Sequence, residues 1–391
     1  MPTQLTRRGF LAATGGSLAA YGAVGQATGT PSDRVRFAAF NIENLTTDQV
    51  QEPGDEQAAA AARVVQEARP DVLALNEVVN NVQKGERTDR TNARAFVEEY
   101  LTDPQAPGLS GIDYEYVYVP ESNTGVHSGY DLDNNGETVD DPGSQAYGDD
   151  AFGFGLFPGQ YALALVSRYP IEESAVRSFR EFRWTDMPDN FAVRDDDESD
   201  FYLNDEEAEV FRLSSKTHVD VPVDVGGRTV HSLLAHPTPP GFDGPENFNG
   251  RRCHDEVRLF ADYVAGAEYL YDDDGVQGGL ADDASYVLMG DMNASPGQKE
   301  TYDAATKFLL DNDDFEARRL PTSPGGARRG NPQATFDSVD QIDYVLPSPD
   351  LGLRGSKVVW PATDCAKRGL GAAVATASDH RLVWADVDTG R

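Results

Sequence analysis

The stretch that most constrains the fold of this chain is residues 286–296, which read YVLMGDMNASP. An apolar run of strand length ends at Gly290, and Asp291 and Asn293 follow it two residues apart. A strand that ends in this way presents a carboxylate and a carboxamide together at the tip of a sheet. The same pair also suits a simple turn, because Asp and Asn satisfy nearby backbone groups. Polar tips on four other predicted strands favour a functional site.

Two strands show this pattern early in the chain. Residues 35–42 predict a buried strand that ends near Asn41, and residues 71–78 predict a second strand that ends near Glu77. The Ala-rich residues 56–68 have the composition of a helix and connect these strands. This strand, helix, strand unit therefore carries a candidate ligand at the end of each strand.

The rest of the chain alternates strands with few helices. Further strands are predicted at residues 114–119, 161–167, 211–221, 229–236, 341–346 and 381–387. Further helices are predicted at residues 92–101, 252–270 and 298–310, and loops at residues 194–209 and 320–332. Because only four helices are convincing, we expect a mixed α/β sandwich rather than a doubly wound sheet.

The strand at residues 229–236 ends in a histidine that we interpret as functional. His236 precedes the rigid, Pro-rich residues 237–241, whereas His231 lies on the opposite face of the same strand and is interpreted as structural. The start of the next predicted helix carries donors suited either to an anion or to capping and solvation: Asn249, Arg251 and Arg252.

The polar strand tips together indicate metal-assisted hydrolysis. The candidates are Asn41, Glu77, His236, Asp291, Asn293, Asp343, Asp379 and His380. Hard oxygen ligands suit Mg²⁺ or Mn²⁺, and zinc is not indicated because no HExxH or paired-cysteine spacing occurs. Histidines beside several carboxylates supply what hydrolysis of a phosphate ester needs, namely activation of water and stabilisation of the developing charge. No GxSxG elbow or Walker loop indicates a different chemistry.

An insertion at about residues 120–160 lacks the apolar pattern of the rest of the chain. Its residues 131–136 read DLDNNG, like the opening of a calcium loop that would use Asp131, Asp133 and Asn135. The Glu expected at the twelfth position is replaced by Pro142. A calcium site and a solvated acidic loop therefore both remain open.

The first 30 residues predict an export signal and linker rather than part of the fold. Residues 6–11 read TRRGFL and precede a mild apolar stretch, the pattern of a twin-arginine signal. The stretch is too short and Gly-rich to span a bilayer, so we expect no stable membrane insertion. Twin-arginine export would place the protein outside the cell or at its surface. Cys253 and Cys365 are far apart in sequence, and both a disulfide and two free thiols remain open.

The charge of the chain is extreme, with 66 acidic residues, 33 basic residues and a net charge of -33. An ordinary apolar content argues against disorder, so we expect a protein adapted to concentrated salt. Such a surface repels nucleic acid at low salt, but at molar salt the Debye length falls to about 3 Å and the repulsion largely vanishes. The sequence shows no evident basic patch that would face DNA.

Six motifs in order resemble the endonuclease/exonuclease/phosphatase superfamily, to which deoxyribonuclease I belongs. They are FNIEN (40–44), LALNEV (73–78), AHP (235–237), GDMNA (290–294), QIDYVL (341–346) and SDH (378–380). The resemblance covers residues 33–388 as one domain. It implies a four-layered α/β sandwich of two packed mixed β-sheets flanked by helices, and a metal-dependent hydrolase of phosphate esters.

The resemblance also implies roles for the strand tips. The principal Mg²⁺ or Mn²⁺ would be held by Asn41, Glu77 and Asp379. Asp291 and Asn293 would face the attacking water and a phosphate oxygen. His380, oriented by Asp343, would contact the scissile phosphate, and His236 would face it from the other half as an acid/base or phosphate donor.

Three functions remain open at this point. The first is an exported, monomeric phosphodiester hydrolase that acts as a nuclease on extracellular DNA or RNA. The second is a phosphomonoesterase, or a phosphodiesterase for phospholipids or inositol phosphates. The third is a catalytically inactive, calcium-stabilised binding module, and the full set of polar strand tips argues against it.

Overall fold

The computed structural model describes residues 34–81, 90–192, 202–242, 244–363 and 369–390. The predicted export signal and Cys365 lie outside these residues. Cys253 is a buried free thiol. In the part of the chain that the structure describes, no helix combines the length and the apolar character needed to cross a membrane.

Two mixed β-sheets organise the domain. The strands are β1 (Arg34–Leu45), β2 (Val72–Val78), β3 (Tyr116–Tyr118), β4 (Leu163–Ser167), β5 (Arg177–Ser178), β6 (Val219–Asp224), β7 (Thr229–Leu234), β8 (Ser285–Asp291), β9 (Asp343–Pro347), β10 (Gly352–Val358) and β11 (Val383–Asp388). One sheet has the order β10-β11-β1-β2-β4-β3, and the other has the order β5-β6-β7-β8-β9. The pairs β1–β2 and β7–β8 are parallel, and the other named pairs are antiparallel.

Helices flank the sheets. They are α1 (Thr47–Gln51), α2 (Glu56–Ala68), α3 (Asn92–Phe96), α4 (Gln145–Asp149), α5 (Asp205–Ala208), α6 (Phe248–Val264), α7 (Pro324–Arg329) and α8 (Leu370–Ala377), with π-helical turns at Val97–Leu101 and Ala305–Leu310. The predicted bounds of α2 are correct. Its Asp55 side chain accepts from the Ala58 amide, and Arg69 ends it in a left-handed conformation before Pro70.

Buried apolar residues lie on both faces of the sheets and so produce separate layers. Along β8, Val287 and Met289 face the space between the sheets, while Tyr286 and Leu288 face the opposite side, where Phe260 of α6 packs. The first sheet buries its other face under α2 and α8. This arrangement confirms the predicted sandwich of two packed mixed sheets with flanking helices.

Several predicted elements are wrong in extent. Residues 211–218 are not a strand, because β6 begins only at Val219. The helix predicted at residues 252–270 begins four residues earlier and ends at Val264, followed by Gly266 with a φ of 77°. Of residues 298–310, only Ala305–Leu310 are helical.

Two predicted loops contain helices, because short capping motifs were not recognised. The loop predicted at residues 320–332 contains α7, whose Ser323 side chain accepts from the Gly326 amide and whose first residue is proline. The described part of residues 194–209 contains α5, which Asn204 begins with a capping box. Strand β10 was not predicted because it is an exposed edge strand without an apolar run. Helix α8 was not predicted either.

Candidate active site

The parallel pair β1–β2 brings the first two candidates to one sheet edge. Asn41 lies opposite Asn76, and the register then shifts before Leu45. Glu77 has a φ of 63°, a conformation that non-glycine residues adopt rarely and at a cost. The Asn41 Nδ2 donates to Glu77 Oε1 at 3.0 Å, and the Asn44 amide donates to Oε2 at 3.0 Å. The irregular backbone therefore aims both side chains at one point.

The parallel pair β7–β8 supplies the second pair from the other sheet. A Cβ at Gly290 would lie 2.1 Å from the Ala235 carbonyl oxygen, so only glycine permits this close approach of the two strands. His236 and Asp291, the residues that follow these positions, then lie together. The distance between His236 Nε2 and Asp291 Oδ2 is 3.4 Å.

Asp291 is the point at which the two sheets meet. Its buried Oδ2 accepts from Asn41 Nδ2 at 3.1 Å and faces His236 Nε2 and, at 3.8 Å, His380 Nε2. Burial alone would raise the pKa of Asp291, but the positive charge of His380 and the contact with His236 lower it below its ordinary value. Asp291 is therefore ionised at neutral pH.

Asp343 lies against Nδ1 of His380, a contact that the resemblance implies. Asp343 Oδ2 lies 3.0 Å from His380 Nδ1, which leaves Nε2 directed at the centre, 3.8 Å from Asp379 Oδ1. Burial alone would lower the pKa of His380, but Asp343 and Asp291 raise it to about 10. His380 is therefore an imidazolium that can donate from Nε2.

The turn formed by Asp291 and Asn293 is part of the candidate active site. The Asn293 amide donates to Asp291 Oδ1 at 2.9 Å, as expected for an Asx turn, and its Nδ2 donates to the Pro237 carbonyl at 3.0 Å. The same carbonyl accepts from Lys216 Nζ at 3.1 Å. Both residues therefore fix the loop that follows His236.

Lys216 is a residue of this centre that sequence reasoning missed. Burial lowers the pKa of its ammonium, and the carboxylates of Glu256, Glu77 and Asp291 oppose that change. Lys216 lies within a predicted strand and not at its tip, so the pattern of polar strand tips does not include it. The rarity of lysine, with six in the chain, was the one signal that could have singled it out.

The oxygen donors at the centre fit a divalent metal ion. Burial raises the pKa of Asp379, and Glu77 raises it further; burial and Asp379 do the same to Glu43. Mutual repulsion of this kind is relieved by a cation. The resemblance assigns such an ion to Asn41, Glu77 and Asp379. In the structure Asn41 turns Nδ2 towards Glu77 and Asp291, while its Oδ1 accepts from the Glu43 amide at 2.9 Å. Among the described residues of the centre, Asp291, Asp343 and His380 each offer a ligand atom within 4.8 Å of the others.

The three donors at the start of α6, which suit either an anion or capping, differ in exposure. Arg252 is buried, and its guanidinium donates to the carbonyls of Phe152, Arg212 and Leu213. Arg251 and Asn249 are partly buried, and Arg251 Nε donates to the Glu246 carbonyl while Asn249 Nδ2 donates to the Gly241 carbonyl. Arg252 therefore stabilises the fold, which the sequence alone could not distinguish from an exposed helix start.

The predicted calcium loop brings three carboxylates together. One oxygen from each of Asp131, Asp133 and Asp150 lies within 4.8 Å of the others. Asp150 follows α4, and its two oxygens accept from the Leu132 and Val139 amides. The Asn135 amide donates to Asp131 Oδ1 at 3.0 Å and shapes the turn.

Comparisons with known proteins agree with the fold of the chain. A family model described as "Endonuclease/Exonuclease/phosphatase family" matches residues 38–380. An endonuclease/exonuclease/phosphatase from Beutenbergia cavernae is 19% identical with a TM-score of 0.51, over 91% of this chain and 72% of that chain, which shows a shared fold. No curated protein matches the chain.

Two further solved structures have lower structural similarity. Sphingomyelinase C from Streptomyces griseocarneus is 15% identical with a TM-score of 0.46, over 90% of this chain and 99% of that one. A beta toxin mutant from Staphylococcus aureus with bound magnesium ions is 15% identical with a TM-score of 0.45, over 90% and 98% of the two chains.

Proposed function

Because the chain belongs to the endonuclease/exonuclease/phosphatase family of metal-dependent phosphate ester hydrolases, we propose that it is an exported nuclease acting on extracellular DNA or RNA. The observation that carries the catalytic part of this proposal is the convergence on Asp291 Oδ2. Asn41 from the first sheet, His236 from the second and His380 after α8 all direct nitrogens at this one oxygen. A fold alone does not require that convergence.

Each group at the centre has a role in hydrolysis that follows from its surroundings. The ionised Asp291 accepts a hydrogen bond from the attacking water and orients it. The His380 imidazolium donates from Nε2 to a phosphate oxygen as negative charge develops there. Asp343 holds the His380 ring in the orientation that this requires. A bound divalent ion would supply Lewis acidity and neutralise charge on the phosphate.

His236 lies within ion-pair distance of Asp291. Its Nε2 faces Asp291 Oδ2 at 3.4 Å and Glu77 Oε1 at 3.8 Å, while its buried Nδ1 has no partner among the described residues. The sequence identified no carboxylate partner for this histidine, and the structure provides two. We propose that His236 positions Asp291 and acts as an acid/base during turnover.

The experiment that tests the substrate is a parallel assay in molar salt with Mg²⁺ or Mn²⁺. The mature protein is incubated with plasmid DNA, RNA, a sphingomyelin-type lipid and simple phosphomonoesters. The nuclease proposal predicts cleavage of the nucleic acids, and the sphingomyelin arm is needed because that lipid is also a phosphodiester. Cleavage of the lipid or the monoesters, with the nucleic acids left intact, would replace the nuclease proposal by the second function predicted from the sequence.

The export part of the proposal rests on the sequence. The Arg7-Arg8 pair and the apolar residues after it support twin-arginine export of the folded protein. Measuring the protein separately in cells and in culture medium or surface fractions tests this, and retention of full-length protein in the cytoplasm would contradict it.

We also propose that the loop at residues 131–136 binds calcium and thereby stabilises the insertion. Added Ca²⁺ should raise the melting temperature of the wild-type protein, and Asp133→Ala should remove this response, since it deletes one of the three clustered carboxylates. Thermal unfolding followed during a calcium titration measures the effect. Equal responses in the two proteins would exclude calcium at this loop.

A further inference from the structure

Arg329 is an exposed basic residue in the last turn of α7. Several basic residues elsewhere form ion pairs, for example Arg168 with Asp71 and Arg228 with Asp350, while Arg252 and Lys216 are buried and donate to backbone carbonyls. The exposed guanidinium of Arg329 has no carboxylate partner among the described residues, and its recorded contact is with the ring of Trp360. An exposed charge left unneutralised in this way is available to an anion.

The chain around Arg329 is held beside the edge strand β10. Ser356 Oγ donates to the Arg319 carbonyl at 3.2 Å, and the Val358 amide donates to the Thr322 carbonyl at 3.2 Å. The Gly325 amide donates to the Trp360 carbonyl at 2.8 Å. These bonds fix α7, with Arg329 at its end, against Trp360.

Trp360 stacks with two guanidinium groups at once. The Cζ of Arg329 lies 4.4 Å from the centroid of its ring, and the Cζ of Arg381 lies 4.2 Å from it. Arg381 is buried, pairs with Asp337 and donates to the Ser378 and His380 carbonyls. Asp337 therefore compensates the charge of Arg381, whereas no carboxylate of the described residues pairs with Arg329.

These residues line a pocket of about 310 Å³ that also includes Gly371 and Ala375 of α8. Small residues there leave the pocket open. Gly371 lies in the first turn of α8, and Gly369 before it provides no side-chain cap. The positive end of the helix therefore adds to the charge of Arg329 at this pocket.

The pocket borders the hydrolytic centre. Arg381 directly follows His380, and the ring of Phe336 lies 4.7 Å from the ring of His380. The next residue, Asp337, pairs with Arg381, and its amide donates to the Asp379 carbonyl at 3.0 Å. Residues 336–337 thus form the wall between the pocket and the centre.

We propose that the pocket of Arg329, Trp360 and Arg381 binds a second phosphate of a nucleic acid strand, next to the one that is cleaved. The proposal rests on the proposed nuclease function. Arg329 supplies the charge and the hydrogen-bond donors, Arg381 and Trp360 hold it in place, and the path along residues 336–337 leads to His380. The sequence shows no basic patch for DNA. In the structure Arg329 and Arg381, which are distant in sequence, come together on the ring of Trp360.

The test compares wild-type protein, Arg329→Gln and Arg168→Gln on an oligonucleotide and on bis(4-nitrophenyl) phosphate. Arg168→Gln makes the same charge change at the opposite end of the first sheet. Loss of one charge-assisted phosphate contact should raise KM for the oligonucleotide about tenfold in Arg329→Gln alone. The slope of log KM against log salt should fall by about 0.7 to 0.9. Turnover of the small diester should stay at the wild-type value.

Each other outcome has a definite meaning. An unchanged KM for the oligonucleotide in Arg329→Gln, with all three proteins active on both substrates, would overturn the second phosphate site and leave the nuclease proposal standing. Activity on the small diester with none on the oligonucleotide in wild-type protein would overturn the nuclease proposal itself. Binding of wild-type protein, but not Arg329→Gln, to phosphatidylserine vesicles, with oligonucleotide KM unchanged, would assign the pocket to an anionic lipid and overturn our proposal.

Discussion

His380→Ala should lower the turnover of a phosphodiester by about 10² or more, because it removes the donor that stabilises the developing charge on the phosphate. The imidazolium is held by Asp343 at 3.0 Å and directs Nε2 towards Asp291 and Asp379. Initial rates on a small diester with saturating Mg²⁺ measure the loss. Thermal unfolding of the same sample shows whether the fold is retained.

The chain contains a matched control, a second histidine–aspartate pair. His231 Nδ1 lies 2.8 Å from Asp220, whose Oδ2 also accepts from the Tyr263 hydroxyl at 2.7 Å. This pair links β6 and β7 away from the strand tips, so His231→Ala should leave turnover unchanged and act on stability alone. Equal turnover in His380→Ala and His231→Ala would contradict the role given to His380.

Asp291→Asn should also lower turnover by about 10² or more, because an amide neither carries the negative charge nor accepts a proton from water. The substitution keeps the size of the side chain but turns an NH₂ group or a weaker acceptor towards donors on Asn41, His236 and His380. Rates on the same diester measure the effect, and circular dichroism checks the fold.

The control for this substitution is Asp220→Asn, which makes the same chemical change in the structural pair. We expect it to lower the free energy of unfolding through lost bonds to His231 and Tyr263, while turnover stays close to that of wild-type protein. Equal turnover in Asp291→Asn and Asp220→Asn would contradict the catalytic role proposed for Asp291.

Four residues that the structure brings together could be picked out from sequence because they lie at or just after the ends of apolar strands: Asn41, Glu77, His236 and Asp291. Asp343 begins β9, and Asp379 and His380 precede β11, so the six ordered motifs were needed to include them. The run before Asp291 fixes β8, and the glycine at position 290 is explained by the Ala235 carbonyl that lies against it. The parallel pairing of β7 with β8 then places His236 beside Asp291. Local pattern and tertiary pairing give the same answer here.

Other features depend on contacts that no local pattern encodes. Asp150 lies beside Asp131 and Asp133 although it follows Asp131 by nineteen positions, and the ring of Trp360 contacts both Arg329 and Arg381 from other segments of the chain. Arg252 is a residue whose local pattern allowed contact with an anion, yet its guanidinium is buried and donates to backbone carbonyls. Burial and long-range partners decide the role of such side chains.

The central claim is that the strand tips form one metal-dependent hydrolytic centre, and its most direct test is the metal dependence of wild-type protein. After treatment with a chelator, cleavage of bis(4-nitrophenyl) phosphate should cease, and added Mg²⁺ or Mn²⁺ should restore it, because a cation would relieve the repulsion between the carboxylates of Glu77 and Asp379. Cleavage that continues at the full rate in chelator would contradict the claim.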